Sequence, residues 1–105
     1  VRLVYESIFT VTTSNNSWAN MSGQTVTTGF EVGGVRDQVN AGLISRANSG
    51  LLDYIDTSSS LIDPTTNKWL PNTTDDGTHT GTNGHLIRQS VIAAHAIQWH
   101  NLTDY

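Results

Sequence analysis

A dense hydrophobic run opens the chain. Residues 1–11 (VRLVYESIFTV) are rich in Val, Leu, Tyr, Ile and Phe and contain neither Gly nor Pro, a composition typical of a β-strand. The apolar side chains fall on both alternating faces, for example Tyr5 on one face and Val4 on the other. This pattern predicts a strand that is covered on both sides, as the strands of parallel sheets are.

A long polar segment follows. Residues 12–34 (TTSNNSWANMSGQTVTTGFEVGG) are predicted to form a loop, and Trp18, Met21 and Phe30 are the side chains available to anchor it. A loop of this length in a small domain is usually functional or mobile. We expect a surface loop in which a few aromatic side chains pack against the rest of the protein.

The spacing of apolar residues changes to a helical period over 35–47 (VRDQVNAGLISRA). Polar residues, including Arg36, Asp37 and Gln38, lie mostly off the apolar stripe, which is therefore expected to face the core. Asn48-Ser49-Gly50 supplies a C-terminal stop signal. The stripe consists of Val35, Val39, Leu43, Ile44 and Ala47.

A second short strand is predicted over 51–57 (LLDYIDT). A helix that joins two strands of this kind favours a β-α-β unit, in which the strands are parallel and the crossover is right-handed. After a polar connection over 58–78, a second helix is predicted over 83–99, with Thr82 or Asn83 as its N-cap. Its stripe consists of Leu86, Ile87, Ser90, Val91, Ala94 and Ile97, and residues 100–105 show no pattern.

Two strands and two helices are too few for the sheet that these patterns predict. A strand covered on both faces also needs neighbours in the plane of the sheet, and the chain supplies only one such pair. The sequence starts on an apolar run and has neither an initiator Met nor a signal peptide. We therefore expect the chain to be part of a larger α/β domain.

Composition excludes several classes of function. The 105 residues carry a formal charge of −4, with five basic and nine acidic residues, so a basic nucleic-acid binder is not expected. No apolar run approaches the roughly 20 residues of a membrane helix. The absence of Cys excludes disulfides, thiolate metal sites and a cysteine nucleophile. A charged fraction of 13%, with polarity supplied by Thr, Asn, Ser and Gly, suits a secreted or virion-surface protein.

Candidate chemistry is concentrated between Asp75 and His85, in the sequence DDGTHTGTNGH that precedes the second predicted helix. The spacing Asp76-x-x-His79 allows the carboxylate to accept the Nδ1–H of the imidazole and leaves Nε2 available as a general base. Gly77 between them permits the sharp turn that this contact needs. Asp75 competes for the carboxylate role but is one residue out of position.

DGTH followed by four residues and GH, at the start of the last helix, resembles the fifth conserved block of the SGNH hydrolases, the GDSL esterase/lipase superfamily. The order of elements around it is similar to the C-terminal half of that fold. These elements include a helix with Arg36 and Asn40 and a strand that ends in Asp, in LLDYIDTSS. The resemblance covers residues 1–98 approximately.

The resemblance implies a three-layer α/β/α fold with a five-stranded parallel sheet of the flavodoxin-like kind, of which this chain is the C-terminal half. It implies ester hydrolysis by a Ser nucleophile, with His79 as general base and Asp76 as the residue that orients it. Trp69 and Thr78 are candidate substrate contacts. The chemistry needs no metal and no cofactor. Polar loops with Trp residues favour short acyl groups, such as acetyl, on carbohydrate over long-chain lipid.

The other conserved elements of that family are absent from this sequence. It has no GDS-type Ser, no oxyanion-hole Gly and no Gly-x-Asn block, and Ser22 and Ser49 lie in other contexts. We therefore expect a partner that is the N-terminal fragment of the same hydrolase and carries the nucleophile. Expected ligands are an ester or an O-acetylated carbohydrate. Nucleic acid and a membrane span are not expected.

Alternatives remain open at this point. The chain is alternatively a catalytically inactive SGNH-like binding module of a phage tail or surface adhesin, or a small α/β domain with no family tie. Asp76, His79 and His85 offer mixed ligands for zinc, although His85 is expected to pack or cap, and His95 and His100 to lie near the surface. Asp53 and Asp56 are expected to serve the turn after the second strand. Sequons start at Asn15, Asn20, Asn72 and Asn101.

Overall fold

The computed structural model describes residues 3–103 of the chain, with side chains described through residue 97. It forms a small α/β arrangement of two two-stranded sheets and two helices. Val1 and Arg2 of the first predicted strand, and the side chains of Trp99, His100 and Asn101, lie outside the described part. The elements are β1 (Val4–Glu6), β2 (Thr12–Ser14), β3 (Gln24–Val26), α1 (Val35–Asn48), β4 (Asp53–Ile55) and α2 (Thr82–Thr103).

The parallel β-α-β arrangement is confirmed. β1 pairs with β4 in parallel, with Tyr5 opposite Tyr54 and Glu6 opposite Ile55, and α1 lies between them in the chain. Both strands are shorter than predicted, since three residues form a ladder in each. Backbone pairing requires a neighbour, and within residues 3–103 each strand of this sheet has only one.

The prediction of a loop over 12–34 was wrong in part. β2 and β3 form an antiparallel hairpin, and a 3-10 turn over Met21–Gly23 leads into β3. The inward-facing residues of this hairpin are polar: Thr12 and Gln24 are buried, and the Thr12 hydroxyl donates to Gln24 Oε1 at 3.1 Å. A search for alternating hydrophobic residues misses such a hairpin because its buried positions are not hydrophobic.

α1 lies where the sequence predicted a helix, but the residues that it buries are not those of the predicted apolar stripe. Arg36 and Asn40 are buried, whereas Val35 and Val39 of the predicted core stripe are 64% and 42% exposed. Arg36 Nε donates to the carbonyl oxygen of Ile8 at 2.7 Å, and the Asn40 side chain bonds both the carbonyl oxygen and the N–H of Ile8. Hydrogen bonds to the chain after β1 orient this helix, and of the predicted stripe Val35, Val39 and Ile44 stay exposed while Leu43 and Ala47 are half-buried.

α2 begins one residue earlier and ends four residues later than predicted. The His85 N–H donates to the Gly81 carbonyl at 2.8 Å, which places Thr82 inside the first turn and not at the N-cap. Residues 100–103, which showed no pattern in sequence, continue the helix. Leu86 and Ile97 of its stripe are exposed, whereas Ile87 packs against the core.

The hydrophobic core is small and lies between α2 and the loop that follows β4. Leu61, Ile62 and Trp69 form its buried cluster, and Phe9 packs edge-on against Trp69 with ring centroids 5.7 Å apart. Leu52 and Ile55, at β4, are also buried. Much apolar surface stays outside this core. The exposed large apolar residues are Leu3, Val4, Tyr5, Ile8, Val32, Val35, Val39, Ile44, Leu51, Leu86 and Ile97.

Over the described residues, neither helix combines the length and hydropathy needed to cross a membrane.

Candidate active site

Asp76 and His79 form the contact that their spacing predicts. Asp76 Oδ2 lies 2.8 Å from His79 Nδ1, and Asp76 Oδ1 accepts the backbone N–H of His79 at 2.7 Å and that of Thr78 at 2.8 Å. One carboxylate thus closes the turn with one oxygen and holds the imidazole with the other. Both side chains are exposed, 79% for His79 and 55% for Asp76.

The sharp turn of this loop depends on Gly77. Its φ is +77°, in the left-handed region that favours glycine. A Cβ at this position would lie 2.1 Å from the carbonyl oxygen of Thr12 and 2.7 Å from the ring of Trp18. The Gly77 carbonyl accepts the Thr12 N–H at 3.0 Å and the Trp69 indole N–H at 2.9 Å. The glycine therefore supplies both the turn and the close approach that ties the loop to the hairpin and the core.

Thr74 braces the same loop from inside. Its hydroxyl donates to the His79 carbonyl at 2.6 Å and accepts the Gly77 N–H at 3.0 Å. Thr74 and Thr80 form an isolated antiparallel bridge across the base of the loop. Because these bonds lie within the loop and Thr74 is buried, they hold the backbone on which the imidazole is carried.

Electrostatics favour the charged form of Asp76. The backbone N–H of His79, the His79 ring and the backbone N–H of Thr78 hold the pKa of the Asp76 carboxyl far below its usual range. Asp76 is therefore an acceptor at neutral pH. An acceptor at Nδ1 favours the tautomer of His79 that carries its proton there and keeps the lone pair on Nε2.

His79 borders a cavity of about 420 Å³. Among the residues that the structure describes, none donates to or accepts from Nε2 of His79. The ring is therefore available to a substrate group on the cavity side. The cavity is lined by Phe9, Thr78, His79, Thr80, His85 and Arg88.

Of the two residues predicted to contact substrate, Thr78 lies at the cavity and Trp69 does not. Thr78 lines the cavity beside His79. Trp69 has 0% exposure and lies beneath the loop, with its N–H on the Gly77 carbonyl, so the expectation of a substrate contact is corrected to a supporting role. Its backbone is also bonded on both sides to the buried Gln24 side chain, at 2.8 and 2.9 Å.

Sequence reasoning missed Phe9 and Arg88 as neighbours of His79. Phe9 was assigned to the first strand, and Arg88 is a charged residue among apolar ones in α2. The Arg88 guanidinium lies 5.7 Å from the Phe9 ring centroid and makes two hydrogen bonds to Glu6, at 2.6 and 2.7 Å. The only available signal was a lone Arg with helical spacing three residues after His85.

The remaining candidates do not take part in the contact between Asp76 and His79. Asp56 accepts the Ser59 N–H at 3.1 Å and the Ser59 hydroxyl, which confirms its predicted role in the turn after β4. Asp75 makes no hydrogen bond within the described residues, whereas Asp76 does. His85 lies on the cavity wall, with Nδ1 3.5 Å from the Thr80 hydroxyl. Within residues 3–103 no group of three His, Asp or Glu side chains is placed to hold a metal ion.

A second cavity of about 250 Å³ lies between α1 and the end of β4, and His79 is not among its lining residues. Arg36, Asn40, Tyr54 and Ser58 contribute to its wall. Burial chiefly raises the pKa of the Tyr54 hydroxyl there. Arg36 and Asn40 hold Ile8 through hydrogen bonds, so the presence of these two polar side chains in the wall is explained by a structural role.

Comparison of the chain with protein-family models, with curated proteins and with solved structures finds no match.

Proposed function

We propose that this chain supplies the His–Asp part of the active site of a serine ester hydrolase of the SGNH type. The observation that carries the proposal is the exposed contact between Asp76 and His79, 2.8 Å between Oδ2 and Nδ1, on a loop braced by Thr74, Gly77 and Trp69. A His ring with an oriented Nδ1 and an accessible Nε2 is what a general base for a hydroxyl nucleophile requires.

The reaction proceeds in two stages. A serine hydroxyl attacks the ester carbonyl while Nε2 of His79 takes the hydroxyl proton, and Asp76 stabilises the imidazolium that forms. His79 then returns the proton to the alcohol oxygen as the carbon–oxygen bond breaks. Water repeats the sequence on the acyl-serine, releasing the acid and restoring the serine. Hydrogen-bond donors next to the nucleophile stabilise the negatively charged oxygen in both stages.

The nucleophile and the oxyanion donors are assigned to polypeptide outside these 105 residues, the N-terminal part of the same hydrolase. Two features support this assignment. β1 has one strand neighbour within the described residues. The apolar stripe of α1 is exposed at Val35, Val39 and Ile44. A further strand beside β1 and its connecting helix would cover such a surface.

We infer a three-layer arrangement for the complete domain. Glu6 contacts Arg88 on α2, and its partner in register is Ile55. Tyr54 is adjacent to Ile55 and so points to the opposite face of the sheet, where it lines a cavity with residues of α1. These contacts support helices on both faces, as the resemblance to SGNH hydrolases implies.

The proposed substrate is a short acyl ester, such as an acetyl group on carbohydrate. Hydroxyl-bearing side chains of Thr78 and Thr80 beside His79 support a polar ligand over a long-chain lipid. The proposal requires no cofactor. The low charged fraction and the Thr- and Asn-rich composition support a protein that works outside the cell.

The test uses the natural protein that contains this chain, with a fluorophosphonate probe and a p-nitrophenyl acetate assay. We expect one probe adduct per protein by intact mass, located on a serine outside these 105 residues. Replacing His79 with Ala should abolish turnover without unfolding. Asp76→Asn should lower kcat by roughly 10²–10⁴-fold, whereas the neighbouring Asp75→Asn is the matched control and should stay within threefold.

Near-normal hydrolysis by the His79→Ala protein would refute the assignment. A folded natural protein that takes no probe and hydrolyses no ester would favour the inactive binding module instead.

A further inference from the structure

The cavity that His79 borders is also lined by Arg88, whose positive charge is neutralised by an ion pair with Glu6. Arg88 Nε and Nη2 donate to the two oxygens of Glu6 at 2.6 and 2.7 Å, and Glu6 also accepts the Thr57 hydroxyl at 2.7 Å. This fork is two-thirds or more shielded from solvent, with 33% exposure at Arg88 and 26% at Glu6. The carboxylate therefore fixes the plane of the guanidinium.

Aromatic packing holds the same group from another side. The Arg88 guanidinium carbon lies 5.7 Å from the centroid of the Phe9 ring, and Phe9 packs edge-on against the fully buried Trp69. Trp69 is also the residue that holds the His79 loop through Gly77. The wall at Arg88 and the imidazole of His79 are thus fixed to one rigid support.

One nitrogen of the guanidinium is left for a ligand. Within the described residues Nη1 of Arg88 makes no hydrogen bond, while Nε and Nη2 are taken by Glu6. Glu6 cancels the positive charge of the fork, so this wall offers N–H donors without the net charge that would attract a phosphate or a carboxylate. The hydroxyls of Thr78 and Thr80 add donors and acceptors to the same cavity. Such a lining fits a neutral ligand rich in hydroxyl groups.

The reaction determines which part of an ester this cavity receives. His79 must return its proton to the alcohol oxygen, so the alcohol part of the substrate has to lie beside Nε2. His79 and Arg88 border the same cavity, and we assign the alcohol part of the substrate to it. We propose that Arg88 is a specificity-determining residue that binds a hydroxyl of the alcohol part, a neutral polyol such as a sugar ring, through Nη1. The inference rests on the proposed esterase function and specifies its alcohol side.

The test compares binding and hydrolysis in the natural protein that contains this chain. Methyl xyloside represents the alcohol part of the substrate. It is titrated into the protein, and its binding is followed through the amide NMR signals. The monoacetate of methyl xyloside and p-nitrophenyl acetate are the two esters. The first variant carries both Glu6→Gln and Arg88→Met. It removes the ion pair between these two residues without leaving a shielded carboxylate unpaired. Arg88→Lys is the second variant, and Arg46→Met on the exposed face of α1 is the matched control.

We expect the paired variant to weaken xyloside binding at least fivefold. The ratio of kcat/KM for the acetylated xyloside to that for p-nitrophenyl acetate should also fall at least fivefold, mainly through KM. Arg88→Lys should lie between the paired variant and the unsubstituted protein. The Arg46→Met control should change neither quantity by more than twofold.

Unchanged xyloside binding and an unchanged ratio in folded Arg88 variants would overturn the inference, and so would an unsubstituted protein that does not bind the xyloside. If the unsubstituted protein hydrolyses neither ester but loses xyloside binding when Arg88 is replaced, the proposed esterase reaction fails and the Arg88 contact stands.

Discussion

The indole N–H of Trp69 donates to the carbonyl oxygen of Gly77 at 2.9 Å, eight residues further along the chain. Trp69 is completely buried in the core, while Gly77 forms the turn between Asp76 and His79. This bond connects the position of the catalytic candidate to the packing of the core. Predictions about the site can therefore be tested by changes that never touch His79 itself.

Replacing Trp69 with Phe should destabilise the protein by about 1–3 kcal/mol, since a buried carbonyl loses a donor and a cavity opens where the larger ring was. The change also loosens the Gly77 turn, so ester hydrolysis should fall with it. Urea unfolding measures the first effect and kcat the second. Trp18→Phe is the matched control, because the Trp18 indole N–H bonds the Thr12 hydroxyl at 3.0 Å at a partly exposed position. Equal losses in the two variants would contradict the special role of Trp69.

Replacing Gly77 with Ala should be more damaging than the same change at Gly50. Both residues have φ near +80°, at +77° and +78°, but a Cβ at Gly77 meets the Thr12 carbonyl at 2.1 Å, whereas at Gly50 nothing lies within 4 Å. Gly50→Ala should cost about 1–2 kcal/mol in backbone strain alone. Gly77→Ala should cost about 1–3 kcal/mol more and displace the His79 loop. Urea midpoints of the two variants decide this, and similar midpoints would count against a crowded turn.

Acidification should weaken the protein through Asp76. Its carboxyl pKa in the folded state lies far below the usual range, chiefly because the His79 N–H and ring bond the charged form. The contribution of Asp76 to stability is therefore fully present above the unfolded pKa of about 3.9 and is lost as the pH falls below it towards the folded value. The difference in unfolding free energy between the unsubstituted protein and Asp76→Asn should shrink as the pH is lowered from 6 to 3. A difference that stays constant over this range would disprove the linkage.

Asn40→Ala should destabilise the link between α1 and the chain after β1. The Asn40 side chain accepts the Ile8 N–H at 2.9 Å and donates to the Ile8 carbonyl at 3.1 Å, so its loss leaves both backbone groups without this partner. A cost of about 1–3 kcal/mol is expected. The control is Gln38→Ala, an exposed position whose side chain bonds the Gly33 carbonyl at 3.2 Å. Thermal unfolding of both variants tests the difference, and an Asn40→Ala protein as stable as the control would contradict it.

The order of elements around the site was predictable, and the Asp76–His79 contact was predictable too. A helix between two strands, a polar connection and a final helix follow from local apolar spacing. The Asp-x-x-His contact needs only a four-residue turn with a glycine inside it, which is why its spacing alone predicts it. The hairpin over β2 and β3 was not predictable in this way, because Thr12 and Gln24 are polar residues whose burial depends on a bond to each other and to Trp69.

By itself the sequence determined what depends on near neighbours: the two helices and the turn that joins Asp76 to His79. The parallel pairing of β1 with β4 joins distant residues, and it was predicted only by the general rule for strands connected through a helix. Tertiary structure alone decided which surfaces meet. It turned Arg36 and Asn40 inward on α1, buried Trp69 beneath the loop and set Arg88 beside His79 through Glu6 and Phe9. The physical reason is distance along the chain. Glu6 and Arg88 are 82 positions apart, and local spacing carries no information about a contact that forms only when the whole chain has packed.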